Sequence, residues 1–530
     1  MIARLGIDFG TTRTVVAGCM DGRYPVASFD VGGTYRDYVP GVAAVVDGAL
    51  CFGWEAAVAL GGNGGNGATG REATHPHGQV SAVRSIKRLV GALAPDDVVP
   101  GLALPITALD LATGFLAHVR RLLVERSNLE LGGEPVLEVE VAVPAHSSTR
   151  QRYLTLEAFS RAGFHVIGMR NEPTAAAIEL SCRNRAMLSP RSPKRYVVVY
   201  DLGGGTFDTS VVSLEGRRFE VLATAGLPRL GGDDFDEVIA DLALAELGPA
   251  ADTLDDTGHV ALRELCREAK ETLTPHSRRL MLDVGALVPG AEPVILPVRT
   301  IDERCEPLIE QTLTCVHEVF ARLPAHGMDP DDARELGGLY LVGGAIAFPA
   351  VGRLLRAAYG RKIQLAPQPH AATAVGLAAC ADPEAQILVR EAVTRHFGVW
   401  REGEDGREKI FDPILSKNSA VDTATGGLVV RRTYRPAHTV GRLRFLECDA
   451  LSGSGQPAGE LTPWTEIEFP YDPRLAEARD LSRQPVERSS ALLDEEIAET
   501  YTYGADGTVA VEIENRTHGY RRSFVLGTLR

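Results

Sequence analysis

Tyr200-Asp-Leu-Gly-Gly-Gly-Thr-Phe-Asp208 is the stretch that decides the fold. An apolar run from Tyr196 to Tyr200 leads into it, and a second run, Ser210 to Leu214, leads out. β-Branched and aromatic residues on either side of a glycine-rich break read as strand, tight turn, strand. The N-terminus carries the same design. Residues 2–8 alternate apolar positions, Leu5-Gly-Ile-Asp-Phe-Gly-Thr-Thr12 ends in a Gly/Thr turn, and Thr14 to Ala17 opens a second apolar run that stops at Asp21-Gly22. Each unit closes its first strand on an aspartate, Asp8 or Asp201. Two copies of one unit in a single chain predict a duplicated architecture, two similar lobes facing each other.

Apolar residues recur at helical spacing over Thr107 to Arg126, Thr149 to Ala162, 233–247, 259–273 and 304–323. Thr174 to Cys182 is alanine-rich and follows Pro173, a residue suited to the first helical position. Residues 339–342 form a short apolar strand ending in Gly343-Gly344. Strands mixed with helices indicate α/β lobes. Beyond Phe397 the helical period fades. Strand-like runs take over at 428–434, 442–447, 464–469, 498–503 and 508–514, the last two flanking Gly504-Ala505-Asp506-Gly507, a hairpin signal. Segment 473–497 is polar and reads as helical. The predicted organisation is an α/β region over residues 1–383, a linker over 384–394 centred on Ile387 to Val393, and a mainly β region over 395–530. The Gly/Asn-rich stretch Gly61 to Gly70 reads as a surface loop.

A chain of 530 residues is too long for one ordinary core, which agrees with two or more domains. It carries 70 acidic against 55 basic side chains, a formal net charge of −15. A surface that acidic repels nucleic acid and anionic membrane, so neither is expected as a partner. The eight cysteines are scattered with no C-x-x-C pair. That argues against a zinc site and a disulfide framework and favours a reducing cytoplasm. No apolar stretch approaches the ~18 residues of a membrane helix. The opening Met-Ile-Ala-Arg-Leu-Gly-Ile-Asp has neither the n-region nor the h-region of a signal peptide.

A phosphate chain requires several N–H donors and little steric bulk beside it. Gly203-Gly204-Gly205-Thr206 supplies both, without the Lys-Ser/Thr ending of a Walker A loop. Alone, such a turn is more often a plain hairpin. Its pairing with Gly10-Thr11-Thr12, and the aspartate before each turn, point to phosphate. Asp8 and Asp201 could meet across a cleft, as hydrated Mg2+ requires, since that ion keeps its waters and takes few direct protein ligands. The alternative is two turn-capping aspartates.

Six segments now carry a resemblance to the 70-kDa heat-shock (DnaK-like) chaperone family. Leu5 to Thr12 resembles its first phosphate motif and Tyr200 to Asp208 its second. Asn171-Glu-Pro-Thr-Ala-Ala-Ala177 is similar to its connecting motif, and Ile86-Lys-Arg-Leu-Val-Gly91 to the segment holding its catalytic lysine. Leu230-Gly-Gly-Asp-Asp-Phe-Asp236 and Leu341-Val-Gly-Gly344 resemble two further nucleotide-contact segments. The resemblance implies an actin-like ATPase fold of two duplicated lobes followed by a mainly β domain. It implies ATP or ADP with Mg2+, and K+ as a monovalent ion.

Residue by residue, the resemblance assigns Lys87 to the γ-phosphate charge and the attacking water. Thr206 lies beside the γ-phosphate, while Asp8, Asp201 and Glu172 hold Mg2+ through water. Asp208 helps hold the monovalent cation. Gly10, Thr11, Thr12, the backbone of Arg13, and Gly203, Gly204 and Gly205 bind phosphate oxygens. Gly231, Gly232, Lys270, Thr274, Gly343 and Gly344 complete the nucleotide contacts. Pro144 and Arg152 match an allosteric switch. Without the resemblance, Lys87 is a surface lysine on a helix and Pro144 a strand-end proline.

The chain departs from the family at several positions. Arg267 replaces an acid, and Ala345-Ile346-Ala347-Phe348-Pro349 lacks the arginine that stacks on adenine. His370 replaces an aspartate. Gly168 replaces a basic residue implicated in J-domain contact, and Arg390 interrupts the apolar linker. A weakened nucleotide site is expected. Phe397-Gly398, Pro413 to Asn418 and Glu499 to Glu512 resemble landmarks of the substrate-binding β-domain, and the chain ends at Arg530 with no room for a helical lid. The expected function is an ATP-dependent chaperone with slow hydrolysis, binding unfolded or extended polypeptide, with a J-domain co-chaperone and a nucleotide exchange factor as partners. Two alternatives stay open: a nucleotide-gated scaffold with one dedicated protein partner, and a small-molecule kinase on the same fold.

Overall fold

The computed structural model describes residues 2–59, 81–133, 135–145, 147–189, 191–393, 395–403, 408–417, 419–421, 427–464, 466–478, 480–504 and 508–526. The Gly61 to Gly70 stretch and residues 505–507 of the hairpin signal lie outside them. The chain divides into two units. One comprises Met1–Ala145 with Glu157–Leu388, and the other His146–Leu156 with Val389–Arg530.

The first unit contains two sheets wired alike. In one, β1 (Ile2–Phe9), β2 (Arg13–Gly18), β3 (Val39–Pro40), β4 (Val136–Val143) and β5 (His165–Asn171) lie in the order β5-β4-β1-β2-β3. β1 runs antiparallel to β2, with Asp8 opposite Val15, and parallel to β4, with Ile7 opposite Val141. In the other, β6 (Tyr196–Leu202), β7 (Phe207–Glu215), β8 (Arg218–Leu227), β9 (Leu336–Val342) and β10 (Ile363–Leu365) lie in the order β10-β9-β6-β7-β8. β6 is antiparallel to β7, with Asp201 opposite Asp208, and parallel to β9, with Asp201 opposite Val342. The strand-turn-strand unit therefore recurs at the same place in each sheet. Val197, Val198 and Val199 are fully buried, as expected of a central strand whose two faces are both covered.

Helices form where the apolar period is 3.6. They include α1 (Ile86–Ala92), α2 (Ala108–Arg126), α3 (Thr149–Arg161), α4 (Glu172–Arg183), α5 (Gly232–Leu247), α6 (Asp256–Glu271), α7 (Val298–Arg322), α8 (Pro349–Tyr359) and α9 (Ala372–Ala381). Thr107 caps α2, its side chain accepting from the Asp110 N–H at 3.1 Å. Pro173 lies in the first turn of α4, where its missing N–H costs nothing. α4 and α9 pack backbone to backbone: a Cβ on Gly376 would overlap the Ala175 carbonyl, and one on Gly6 of β1 would overlap the α9 backbone at Ala374 and Ala378. Glycine and alanine there let β1, α4 and α9 approach closely, which positions Asp8 and Glu172 relative to each other.

The second unit is mainly β. Among its described residues, strands Glu408–Leu415, His396–Gly403, Phe445–Leu451 and Pro457–Pro463 form one sheet in that order. Leu428–Tyr434, Ile497–Tyr503, Val509–Asn515 and Tyr520–Leu526 form a second, and Val440–Leu443 pairs with Ile467–Pro470. In Ile497–Tyr503 and Val509–Asn515 every other residue is buried, the period-two signature of a half-covered sheet. Phe397, Phe445, Phe469, Tyr501 and Val511 lie in the core. Within it, fully buried Glu499 accepts from Arg401 at 2.7 Å, Tyr434 at 2.6 Å and Tyr501 at 2.7 Å.

Three expectations change. The run 442–447 is two strands separated by Arg444, because Val440–Leu443 pairs with one neighbour and Phe445–Leu451 with two others. Of the run at 464–469 only its end is strand, Ile467–Pro470, and a strand the sequence reading did not place, Pro457–Pro463, precedes it. Segment 473–497 holds no α-helix among its described residues, only 3-10 turns at Pro473–Leu475 and Ser490–Asp494. Its backbone bonds outward instead, Thr439 N–H to the Glu487 carbonyl and Ser489 N–H to the Ala437 carbonyl. A 3-10 turn, Pro383–Ala385, spans the start of the expected linker 384–394, and within it Leu388–Ala392 is a strand, paired with Ala420–Val421.

Candidate nucleotide site

The two glycine turns meet. A Cβ on Gly204 would overlap the Thr12 side chain, so only glycine lets the second turn lie against the first. Gly10 is similarly constrained by the Arg13 carbonyl, and Gly231 by the Gly204–Gly205 peptide. The amino end of α5 holds the second turn from behind: the Gly232 N–H donates to the Gly203 carbonyl at 3.0 Å and the Asp233 N–H to the Gly204 carbonyl at 2.6 Å. In a trans peptide the N–H points opposite the carbonyl. The N–H groups of Gly204 and Gly205 therefore face away from α5, the arrangement of an anion-binding nest. Arg88 donates to the Gly205 carbonyl and lies 3.9 Å from Asp233.

Two residues before each turn stand Asp8 and Asp201. Glu172, first residue of α4, and Lys87, second residue of α1, complete a cluster in which Lys87 donates to Glu172. Burial, opposed by Lys87 and reinforced by Glu172, pushes the Asp8 carboxyl up to about 7. Burial and Glu172 push Asp208 up to about 7 against the pull of Lys87. Asp201 is raised well above its ordinary value by burial and by Glu172, Asp8 and Asp208. Burial works against the charge on Lys87, but Glu172, Asp8 and Asp201 outweigh it and hold the ammonium above its usual pKa. Lys87 is thus no surface lysine; its side chain is 14% exposed. Four carboxyls facing one ammonium repel one another, and a divalent cation would relieve that repulsion. Among the described residues no three acids, histidines or cysteines converge closely enough to bind a metal directly. The donor set fits an ion held through water, as Mg2+ prefers.

The remaining expected residues fall into two groups. Thr11 and Thr206 line the turns half-buried, and the Thr206 carbonyl accepts from the Gly203 N–H at 3.0 Å. Gly343, at φ 92°, lies against the Leu202 carbonyl and an Asp201 oxygen where no side chain fits, and Gly344 follows it. The others have partners or places of their own. Lys270 is buried and held by Asp236 at 2.7 Å and the Gly232 carbonyl at 2.6 Å. Thr274 lies in an exposed turn, 3.1 Å from the Ser277 hydroxyl. Pro144 follows β4, and Arg152 is buried on α3. His370 bonds Asp37 at 2.7 Å.

Sequence reading missed a ladder on α6. Glu271 pairs with Arg13 at 2.6 Å and Arg267 at 3.1 Å, Arg267 bonds Glu264, and Glu264 pairs with Arg84 at 2.7 Å. The spacing of 264, 267 and 271 on one helix face was the available signal.

The model of the family described as Hsp70 protein matches residues 112–394, more than half of the chain. The chain belongs to the Hsp70 family. Similar curated relatives are named Chaperone protein HscA homolog. That of Vibrio cholerae is 30% identical over 442 residues, 79% of this chain and 64% of the relative. That of Chromobacterium violaceum is 32% identical over 375 residues, 67% of this chain and 54% of the relative. That of Methylococcus capsulatus is 34% identical over 361 residues, 66% and 53% respectively. The match spans under two thirds of the relatives' own length. Hsp70 membership implies the actin-like ATPase fold, in keeping with the two identically wired sheets. No helix among the described residues is long and apolar enough to cross a membrane.

Proposed function

We propose that this Hsp70-family chain binds and hydrolyses ATP in its first unit and uses the nucleotide state to change the affinity of its β unit for extended polypeptide. The observation that carries this reading is Lys87 bonded to Glu172 beside Asp8 and Asp201, immediately before two phosphate turns that touch. Lys87 stabilises negative charge on the transferring γ-phosphate and helps orient water, with Thr206 beside it. Asp8, Asp201 and Glu172 are the residues that would hold Mg2+ through its waters, and Asp208 those of K+. Bound Mg2+ supplies neutralisation of phosphate charge. The relatives' name, chaperone, supports a polypeptide substrate. A J-domain co-chaperone and a nucleotide exchange factor belong to the same proposed cycle, in the cytoplasm.

Single-turnover ATP hydrolysis by wild type and Lys87→Ala, with a fluorescent peptide followed in the same samples, tests the proposal. Slow hydrolysis lost in the variant, with ATP-triggered peptide release, is expected. Hydrolysis without any nucleotide effect on peptide would redirect the β unit to one dedicated protein partner. No Lys87-dependent hydrolysis would sink the proposal.

A further inference from the structure

Arg13 opens β2 directly after the first phosphate turn, and its side chain reaches the opposite lobe. Its Nη2 lies 2.6 Å from Glu271, the last residue of α6. Its guanidinium carbon sits 4.5 Å from the centre of the Tyr38 ring. Its Nη1 comes within 3.9 Å of where a Cβ on Gly344 would stand. One planar cation thus bonds the opposite lobe and lies beside the Gly343-Gly344 turn, and 22% of its side chain stays exposed.

Two other cations lie nearby and, like Arg13, are paired, but neither reaches the Gly344 position as Arg13 does. Lys270 is tied to Asp236 and the Gly232 carbonyl. Arg267 is tied to Glu264 and Glu271. Ala345, Ile346, Ala347 and Phe348 bring no charge to the Gly343-Gly344 turn. A nucleotide with its γ-phosphate at Lys87 and its other phosphates on the two turns would carry its base away from the buried carboxylates, toward the Arg13 side chain that lies beside the Gly343-Gly344 turn.

We propose that Arg13 is the base-stacking residue of the nucleotide site. The purine lies on the guanidinium, which Tyr38 backs and Glu271 holds in orientation. A guanidinium suits this task because it is planar, always charged and weakly hydrated, so it stacks on aromatic faces where an ammonium does so less well. The proposal rests on the ATP-binding reading above.

The test is calorimetric binding of Mg·ADP and of magnesium tripolyphosphate, which has no base, to the full chain as wild type, Arg13→Ala and Arg13→Lys. Arg13→Ala should weaken ADP about 3- to 30-fold, with tripolyphosphate changed less than about two-fold, within the error of such comparisons. Arg13→Lys should restore only part of the loss. Equal losses for both ligands would make Arg13 a phosphate ligand and overturn the assignment. So would full rescue by lysine, or no loss at all while wild type binds ADP. A wild type that binds neither ligand overturns the nucleotide reading itself and the assignment with it. Matching thermal melts of the variants separate each result from misfolding.

Discussion

Raising the pH of the metal-free, nucleotide-free protein from 6 to 8 should destabilise its first unit. Burial is the main reason that Asp8 and Asp208 are pushed up to about 7, with Glu172 adding to it and Lys87 opposing. In the unfolded chain these carboxyls titrate near the ordinary value of 3.8. Between the two values the folded state holds protons that the unfolded state has released. The stability this confers is complete below the unfolded value and is lost as pH rises through 7. A group with a folded pKa near 7 loses about 1.4 kcal/mol between pH 6 and 8. Two neighbours sharing Glu172 and Lys87 do not add independently, so about 1–3 kcal/mol is the expected total. For a unit of this size that is a fall in Tm of roughly 1–4 °C. Differential scanning fluorimetry in EDTA at pH 6, 7 and 8 measures it. Mg·ADP should flatten the dependence, because a dication favours the charged carboxylates. A Tm that stays level or rises from pH 6 to 8, or an Asp208→Asn protein with the full wild-type slope, refutes the reasoning.

Arg88→Ala removes the side chain bonded to the Gly205 carbonyl. It should raise KM for ATP on the order of ten-fold, about the loss of one charged hydrogen bond, with a smaller change in kcat; steady-state ATPase kinetics with an unchanged KM would count against a positioning role. Glu499→Ala strips half-buried Arg401 of one carboxylate and leaves Tyr501 without its acceptor, while Tyr434 keeps the Tyr471 hydroxyl. Since Arg401 keeps Asp412, the cost should lie near the low end for a broken buried pair, about 3 kcal/mol. Urea unfolding followed by the fluorescence of Trp400 and Trp464 reads it, and a loss under about 1 kcal/mol would mean the network contributes little.

The strand-turn-strand units were legible because their causes are local: branched and aromatic residues extend the chain, and glycine bends it. Helix α2 was legible for the same reason, through its apolar period. Strand boundaries in the β unit were not, since Arg444 divides two strands only because their partners lie in different pairings. Segment 473–497 has a polar composition compatible with a helix, yet its backbone finds its hydrogen bonds at 437 and 439. Of the site, the turns and their aspartates could be found by pattern. Lys87 could not, because its bond to Glu172 spans residues far apart in the chain, and the family resemblance had to supply it.

By itself the sequence determined where the chain turns, which residue types stand at each turn, and that the unit occurs twice. Only the tertiary structure decided which charges meet. It tied Lys270 to Asp236, took Arg13 across to Glu271, and buried four carboxyls around one lysine. The physical reason is that turn and helix preferences act over a few residues along the chain. Charge pairing and desolvation act through space, at distances that exist only once the lobes have folded.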